Sequence, residues 1–239
     1  MVENDLFWNG FGNGYEGTSL QIWRRLAPHA NVILDVGANT GIYALVARCL
    51  NATATVLAME PVERVFRRLQ RNIELNGGNI RIEKLAASDT TGVAVLYDQP
   101  GDHVLTASLH PLMAEYCGGA VECTVATKRL DELLSETGLR TIDLVKIDVE
   151  LAEPKVLLGM GAYLTKCKPT LLVEVLNGLV AKEIRDITRD LGYNIFRVDE
   201  QQGLVRTSNI EATELGERNY LLAQDEIVET MSIRDFVVQ

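Results

Sequence analysis

Cysteine is sparse and unpatterned: Cys49, Cys117, Cys123 and Cys167 are scattered through 239 residues and form no C-x-x-C pair. That argues against a zinc ribbon or a disulfide framework and suits thiols in a reducing compartment. No apolar run approaches the length that spans a bilayer, so no membrane partner is expected. The chain starts Met1-Val2-Glu3-Asn4-Asp5, without a basic segment or a long apolar one. No secretory signal is expected, and the expected location is cytoplasmic. Positive charge is also short: 23 Lys and Arg face 33 Asp and Glu, for a net charge of −10. A phosphate backbone would repel such a chain, so nucleic acid is not an expected partner. The one basic cluster, Arg64, Arg67, Arg68 and Arg71, has the spacing of a solvated helix face. Internal repeats and low-complexity linkers are missing as well.

What is present is a globular composition, 47% hydrophobic and 23% charged, with enough chain for one large α/β domain. Residues 1–30 read as an N-terminal lid and helix segment, and 31–239 as the body of that single domain. The lid holds Trp8, Gly10, Phe11, Gly12, Gly14, Tyr15 and Gly17; Thr18 or Ser19 is placed to cap a helix ending near Leu26. In the body, strands are expected at Val32–Val36, Thr55–Met59, Ile80–Leu85, Ile142–Asp148 and Thr170–Val175, each followed by a helix or a helical pattern. The helix after Pro61 carries Val62, Val65, Phe66, Leu69 and Ile73 at helical spacing and stops at Asn76-Gly77-Gly78. Two extended segments, Val93–Tyr97 and Val121–Ala126, flank a polar stretch, and two strands, Asn194–Val198 and Tyr220–Ala223, end the body. Between these last two lies an exposed turn near Gln201-Gln202-Gly203. Alternation of this kind implies a mostly parallel sheet covered on both faces, with ligands at the carboxyl ends of its central strands.

Four acids, Asp35, Glu60, Asp148 and Glu174, stand at the carboxyl ends of expected strands. The first opens Asp35-Val36-Gly37-Ala38-Asn39-Thr40-Gly41, a turn between a strand and a helix, the arrangement that sets backbone N–H groups beneath a ligand. Glu60 stands where the ribose of a nucleoside is held. The glycine spacing does not fit G-x-G-x-x-G, and no Lys-Ser or Lys-Thr follows as in a P-loop. With nothing basic nearby to neutralise a pyrophosphate, a nucleoside with a cationic centre and an amino-acid end fits better, and S-adenosylmethionine has all of these.

D-V-G-A-N-T-G at 35–41, M-E-P at 59–61, A-S-D-T-T-G at 87–92, T-K-R-L-D-E-L-L at 127–134 and I-D-L-V-K-I-D-V-E-L-A-E at 142–153 together resemble the FkbM-type methyltransferases. The resemblance runs from about Tyr15 to Glu174. It implies an α/β class I methyltransferase (Rossmann-like) three-layer sandwich, with a mostly parallel seven-stranded sheet and an antiparallel strand near one edge. It also implies S-adenosylmethionine as cofactor and O-methylation of a hydroxyl on a small molecule, sugar or natural product. Carried over residue by residue, Asp35, Gly37, Asn39 and Gly41 would line the methionine end and Glu60 the ribose. Ser88 and Asp89 would lie beside the adenine, and Glu16 near the cofactor entrance. Asp148 and Glu150 would face the methyl group and acceptor as catalytic residues, Asp148 touching the cofactor too.

Leu151 stands where the family has glycine. Either that backbone is left-handed and leucine strains it, or leucine narrows the acceptor pocket. Other readings stay open at this point. The chain could be an N-methyl or aminopropyl transferase on the same fold, or a catalytically silent cofactor-binding protein. Asp148 with Glu150 could cap the next helix, and Ser88-Asp89-Thr90 could form an Asx turn. His103 and His110 flank the polar loop, where one of them could serve as a base, whereas His29 precedes the first strand on the far edge of the sheet. Lys146 would by default pair with a neighbouring acid. Asp148, Glu150, Glu174 and Asn177 are hard oxygen ligands, but the resemblance demands no metal, and none is expected.

Overall fold

The computed structural model describes residues 8, 10, 14, 16–99, 107–112, 120–212, 218–230 and 233–237. His103, Cys117 and much of the expected lid lie outside them. Helix α1 (Gly17–Leu26) precedes β1 (Val32–Val36), α2 (Ile42–Leu50), β2 (Thr55–Met59), α3 (Glu63–Leu75) and β3 (Arg81–Glu83). Four strands follow: β4 (Ala86–Ala87), β5 (Gly92–Asp98), β6 (Ala107–Ser108) and β7 (Val121–Lys128). Then come α4 (Leu130–Glu136), β8 (Leu144–Ile147), α5 (Glu153–Gly159), α6 (Ala162–Cys167), β9 (Thr170–Glu174) and α7 (Gly178–Thr188). The last elements are β10 (Asn194–Asp199), β11 (Gly203–Thr207), β12 (Asn219–Ala223) and α8 (Asp225–Thr230).

The main sheet has the order β11-β10-β12-β9-β8-β1-β2-β3. Strands β9, β8, β1, β2 and β3 run parallel. β12 is antiparallel to both β9 and β10, and β11 is antiparallel to β10. The sheet therefore holds eight strands where seven were expected. The additional one is β11, returning from the anticipated turn near Gly203. Asp199 Oδ1 accepts from the N–H groups of Gln201 and Gln202, both at 2.9 Å, and closes that turn. In β11 only Gly203 and Leu204 are buried, too short an apolar signal to read as a strand. The expected segments at 93–97 and 121–126 pair with each other, as β5 and β7, in a separate four-stranded sheet, β4-β7-β5-β6.

Side-chain alternation along the central strands builds the two buried layers. Val32, Leu34 and Val36 of β1 join Val145 and Ile147 of β8 on the face covered by α4, α5 and α7. Ile33 of β1 joins Val56 and Ala58 of β2 on the other face, against Trp23 of α1, Ala44 of α2 and Leu69 of α3. Charged residues on a strand interior must then sit on one of these buried faces. Asp35 and Lys146 are register partners on adjacent strands, 1% exposed each.

Thr18 and Ser19 do not cap α1 with their own side chains. The carboxylate of Glu200, just beyond β10, accepts from Thr18 N at 2.7 Å and Ser19 N at 3.3 Å. Glu16 holds the cap position in a left-handed conformation, φ 46°. The end of β8 passes directly under the turn after β1. A Cβ on Gly37 would lie 1.8 Å from the Asp148 carbonyl oxygen, so only glycine fits there.

The turn from β8 into α5 puts Glu150 at φ 55° and Leu151 at φ 78°. Of the two readings of Leu151, the left-handed one is observed. Its side chain is buried in the core rather than lining the cleft. Releasing strain there recovers about 1 kcal/mol, whereas removing a buried leucine costs about 2–5 kcal/mol. Leu151→Gly is therefore expected to destabilise the protein by about 2 kcal/mol in denaturant titrations, despite its better backbone fit. A gain in stability would show that strain outweighs packing at this turn.

Candidate active site

A cavity of about 450 Å³ opens at the carboxyl ends of β2, β1, β8 and β9. Asp35, Glu60, Asp148 and Glu174, predicted as a row of acids, all line it. Glu16, Gly37, Asn39 and Glu150 do so as well. Gly41, Ser88 and Asp89 are absent from its lining. Gly41 has φ 94°, a conformation that favours glycine, and a Cβ there would meet the movable Leu69 Cδ1 at 2.5 Å. The carbonyl of Ser88 lies against Gly159, and that of Asp89 accepts from Arg129 Nη1 at 2.8 Å. Their neighbours Leu85, Ala86 and Ala87 line the cavity instead.

The loop after β1 is held from within. The N–H groups of Gly37 and Ala38 donate to the Met59 carbonyl at 3.1 and 2.9 Å, and Gly41 N donates to Ala38 O at 2.8 Å. These three N–H groups are engaged by the protein's own carbonyls. Glu60 ties the loop to the next helix: Oε2 accepts from Asn39 N at 3.1 Å and Oε1 from Val62 N at 2.9 Å. Burial pushes the Glu60 carboxyl up to about 7 against these two hydrogen bonds. Asn39 Oδ1 is buried with no hydrogen-bond partner among the described residues. Asp35 Oδ2 accepts from Ala44 N in the first turn of α2 at 2.9 Å. Its burial likewise raises it to about 7, with Ala44 and Lys146 pulling the other way.

Lys146 sits at the centre. Its ammonium donates to Asp148 Oδ2 and to Asn219 Oδ1, each at 3.1 Å, and lies 5.2 Å from the centre of the Tyr43 ring. Burial disfavours its charge, but Asp148, Glu16 and Glu174 together hold it protonated. The network continues outward. Asn219 Nδ2 donates to Glu16 Oε1 and Ser19 Oγ at 3.1 Å, and the Tyr43 hydroxyl donates to Glu16. Tyr43, Asn219 and Glu200 also line the cavity, and sequence reasoning did not single them out. Asn219 had one signal: a polar residue opening the apolar run Tyr220-Leu221-Leu222-Ala223.

On the far side, Asp148, Glu150 and Glu174 each bring a carboxylate oxygen within 4.8 Å of the other two. Burial and the nearby Asp148 raise Glu150 to about 7 and lift Glu174 well above its ordinary value. Glu153, below this trio, is raised to about 8 by burial, while its Oε1 accepts from Val149 N at 3.1 Å. Asn177 is not part of the cavity lining: its Oδ1 accepts from Val180 N at 2.9 Å and caps α7. His110 accepts from Leu112 N through Nδ1 at 3.3 Å and does not line the cavity, and His29 is exposed in a short turn after α1. Ala107 and Leu109 from the polar loop do line it, and Ser108 Oγ donates to the Glu150 carbonyl.

A parallel sheet with a glycine turn after β1, an acid after β2 and a cleft above both is the architecture of the class I S-adenosylmethionine-dependent methyltransferases. The crystal structure of methyltransferase FkbM from Methylobacillus flagellatus KT shares the fold with a TM-score of 0.50, at 15% identity, over 81% of this chain and 44% of that one. Residues 35–195 match the methyltransferase FkbM domain, and the chain belongs to that family. Its cofactor is S-adenosylmethionine. The 31-O-demethyl-FK506 methyltransferase FkbM of Streptomyces tacrolimicus is 29% identical over 155 residues, which are 54% of this chain and 59% of that protein. The 2-O-methyltransferase NoeI of Sinorhizobium fredii is 32% identical over 147 residues, 57% of this chain and 60% of that protein. The chain thus spans less than two thirds of either curated relative. No helix among the described residues is long and apolar enough to cross a membrane.

The buried carboxyls have a consequence for stability. A carboxyl whose folded pKa lies above its unfolded value favours the folded state fully at low pH, and that contribution is lost as pH rises through the folded pKa. For Asp35, which moves from 3.8 to about 7, the window is about pH 4 to 7. The cofactor-free protein is expected to lose stability from about pH 4 to 7. In Asp35→Asn, whose amide oxygen still accepts from Ala44, the slope should shrink by up to about 1.4 kcal/mol per pH unit. Denaturation at several pH values measures this, and parallel slopes would show that Asp35 stays ionised.

Proposed function

We propose that this protein transfers the methyl group of S-adenosylmethionine to a hydroxyl oxygen of a small molecule. The observation that carries this reading is the one-sided cavity itself, with Glu60 at the β2 end and Asp148 and Glu150 beyond the β8 end. Adjacent strands stand about 4.8 Å apart, so Glu60 and Asp148 are separated by two strand spacings, about 10 Å. A ribose hydroxyl and the sulfonium methyl group lie about 5 Å apart, and a contact of about 3 Å at each end makes up the rest.

The side chains present fit the cofactor. Glu60 has lone pairs left on both oxygens after its two backbone contacts, and these would accept from the two ribose hydroxyls. The unpartnered Asn39 Oδ1 supplies an acceptor near the amino-acid end. Gly37 with Asp35 behind it, and Glu16 across the cavity, complete an acid-lined wall suited to a cation. The roles read for Gly41, Ser88 and Asp89 weaken, since their neighbours rather than they line the cavity.

When bound, the sulfonium supplies a methyl carbon already activated for in-line displacement. What remains for the protein is positioning and exclusion of water, which contributes about 7–11 kcal/mol in favourable systems. Asp148 is oriented by Lys146 and would hold the acceptor hydroxyl in line. Glu150, raised to about 7, would take the departing proton at neutral pH. Ala107 and Leu109 would shield the reacting groups from solvent. The names of the relatives, one a 2-O-methyltransferase, support oxygen as the acceptor atom. A net charge of −10 supports a small-molecule partner over nucleic acid.

Two substitutions test the assignment. Glu60→Ala is expected to weaken S-adenosylhomocysteine binding about ten- to a hundredfold, the loss of charged hydrogen bonds. Asp148→Asn is expected to lower turnover about a hundredfold while that affinity changes less than about threefold. Calorimetry and steady-state kinetics together read both. Unchanged binding in the first variant removes Glu60 from the ribose site, and equal losses in the second reduce Asp148 to a cofactor contact.

A further inference from the structure

Building on the methyltransferase reading, we infer that Asp148, Glu150 and Glu174 form a subsite for a protonated amine on the acceptor, next to the hydroxyl that is methylated. The acceptor class is then the amino alcohols, amino sugars included. The sheet order separates this subsite from the cofactor. Glu60 closes β2 and Glu174 closes β9, three strand spacings away, about 14 Å. A nucleoside anchored at β2 and β1 ends near β8, and Glu174 lies beyond it in the same cavity.

Two observations point to a ligand at the trio. Its carboxylate oxygens lie within 4.8 Å of one another, close to the spread of about 4.6 Å that three acceptors take around an ammonium at about 2.8 Å. Independently, Glu174 is 7% exposed, lines the cavity, and keeps Oε2 without a hydrogen-bond partner among the described residues. A buried carboxylate oxygen left in this state is costly unless a donor arrives. The upward shifts of Glu150 and Glu174 agree: without a cation, crowded carboxylates retain protons.

Spacing separates an ammonium from a divalent metal ion: neighbouring oxygens on a metal at about 2.0–2.4 Å stand about 3 Å apart, whereas the oxygens of the trio spread over up to 4.8 Å. The trio faces two cations, Lys146 at 3.1 Å from Asp148 and Arg218 at 4.0 Å from Glu174 Oε1. Glu16 shares Lys146, and Glu153 lies close to the trio, so the surroundings stay net negative and draw in a cation. An ammonium meets half the repulsion from Lys146 and Arg218 that a divalent ion would meet on the same oxygens. An amine held there stays protonated and has no lone pair, so it is not the nucleophile. The neighbouring hydroxyl oxygen forms the new bond to the methyl carbon, the carbon–sulfur bond breaks with its electron pair left on sulfur, and the hydroxyl proton passes to a carboxylate or to water.

Calorimetry on the full chain tests this. S-Adenosylhomocysteine is added first, and its failure to bind would sink the methyltransferase reading together with this one. The loaded protein is then titrated with matched probes: D-glucosamine against N-acetyl-D-glucosamine, and 2-amino-1,3-propanediol against its N-acetyl derivative. At least one amine is expected to bind about tenfold or more tightly than its uncharged partner. Glu174→Gln and Glu150→Gln should each reduce that ratio to about threefold or less while binding S-adenosylhomocysteine as the wild type does, which also shows that they fold. Equal binding within both pairs, or no amine binding at all, overturns the subsite. So does stoichiometric Mn2+ binding that depends on Glu174, seen by electron paramagnetic resonance.

Discussion

A single buried ammonium organises this protein. Lys146 occupies a position on β8 where the sheet demands an apolar side chain, and it stays charged because carboxylates surround it. Taking that charge out of water costs several kcal/mol, which only close and well-directed partners offset. Asp148 and Asn219 are those partners, and the ring of Tyr43 lies alongside. Three separate parts of the chain, β8, β12 and α2, are therefore brought into one register by one nitrogen. Replacing it with an apolar side chain would leave Asp148 without its ionic partner.

The cavity built around this lysine has two unlike ends. At β2, Glu60 bonds two backbone N–H groups and has capacity left for neutral hydroxyl donors. At β9, Glu174 keeps an oxygen with no donor among the described residues and sits among like charges. The first environment suits a sugar, and the second a positive charge. Both follow from the same rule: a buried carboxylate is stable when its lone pairs are filled, and what fills them depends on the charge nearby.

Much of this was legible in the sequence, for a physical reason. Parallel strands buried on both faces leave long apolar runs, so an acid ending such a run is conspicuous, and Asp35, Glu60, Asp148 and Glu174 were found this way. The FkbM motifs located the turn after β1 and the block that ends β8. What escaped was either short or distant. β11 has little apolar signal of its own. Glu200 and Asn219 reach the cavity only through sheet closure, about two hundred residues from the helix they contact. Ser88 and Asp89 were assigned through motif position, yet the wall is made by the small residues just before them. The turn after β1 was read as a glycine turn, and the structure adds backbone reasons for its glycines. Gly37 is required by the crossing of β8, and Gly41 by its left-handed backbone, φ 94°.

The cap of α1 by Glu200, together with the bond from Asn219 to Ser19, has a consequence for biosynthesis. Helix α1 is made about two hundred residues before the groups that anchor its leading turn. Loop closure over such a separation is entropically costly and slow. Glu16 therefore takes its station over the cleft only after β12 has joined the sheet, and a chain truncated before residue 200 would lack a finished entrance to its own catalytic chamber.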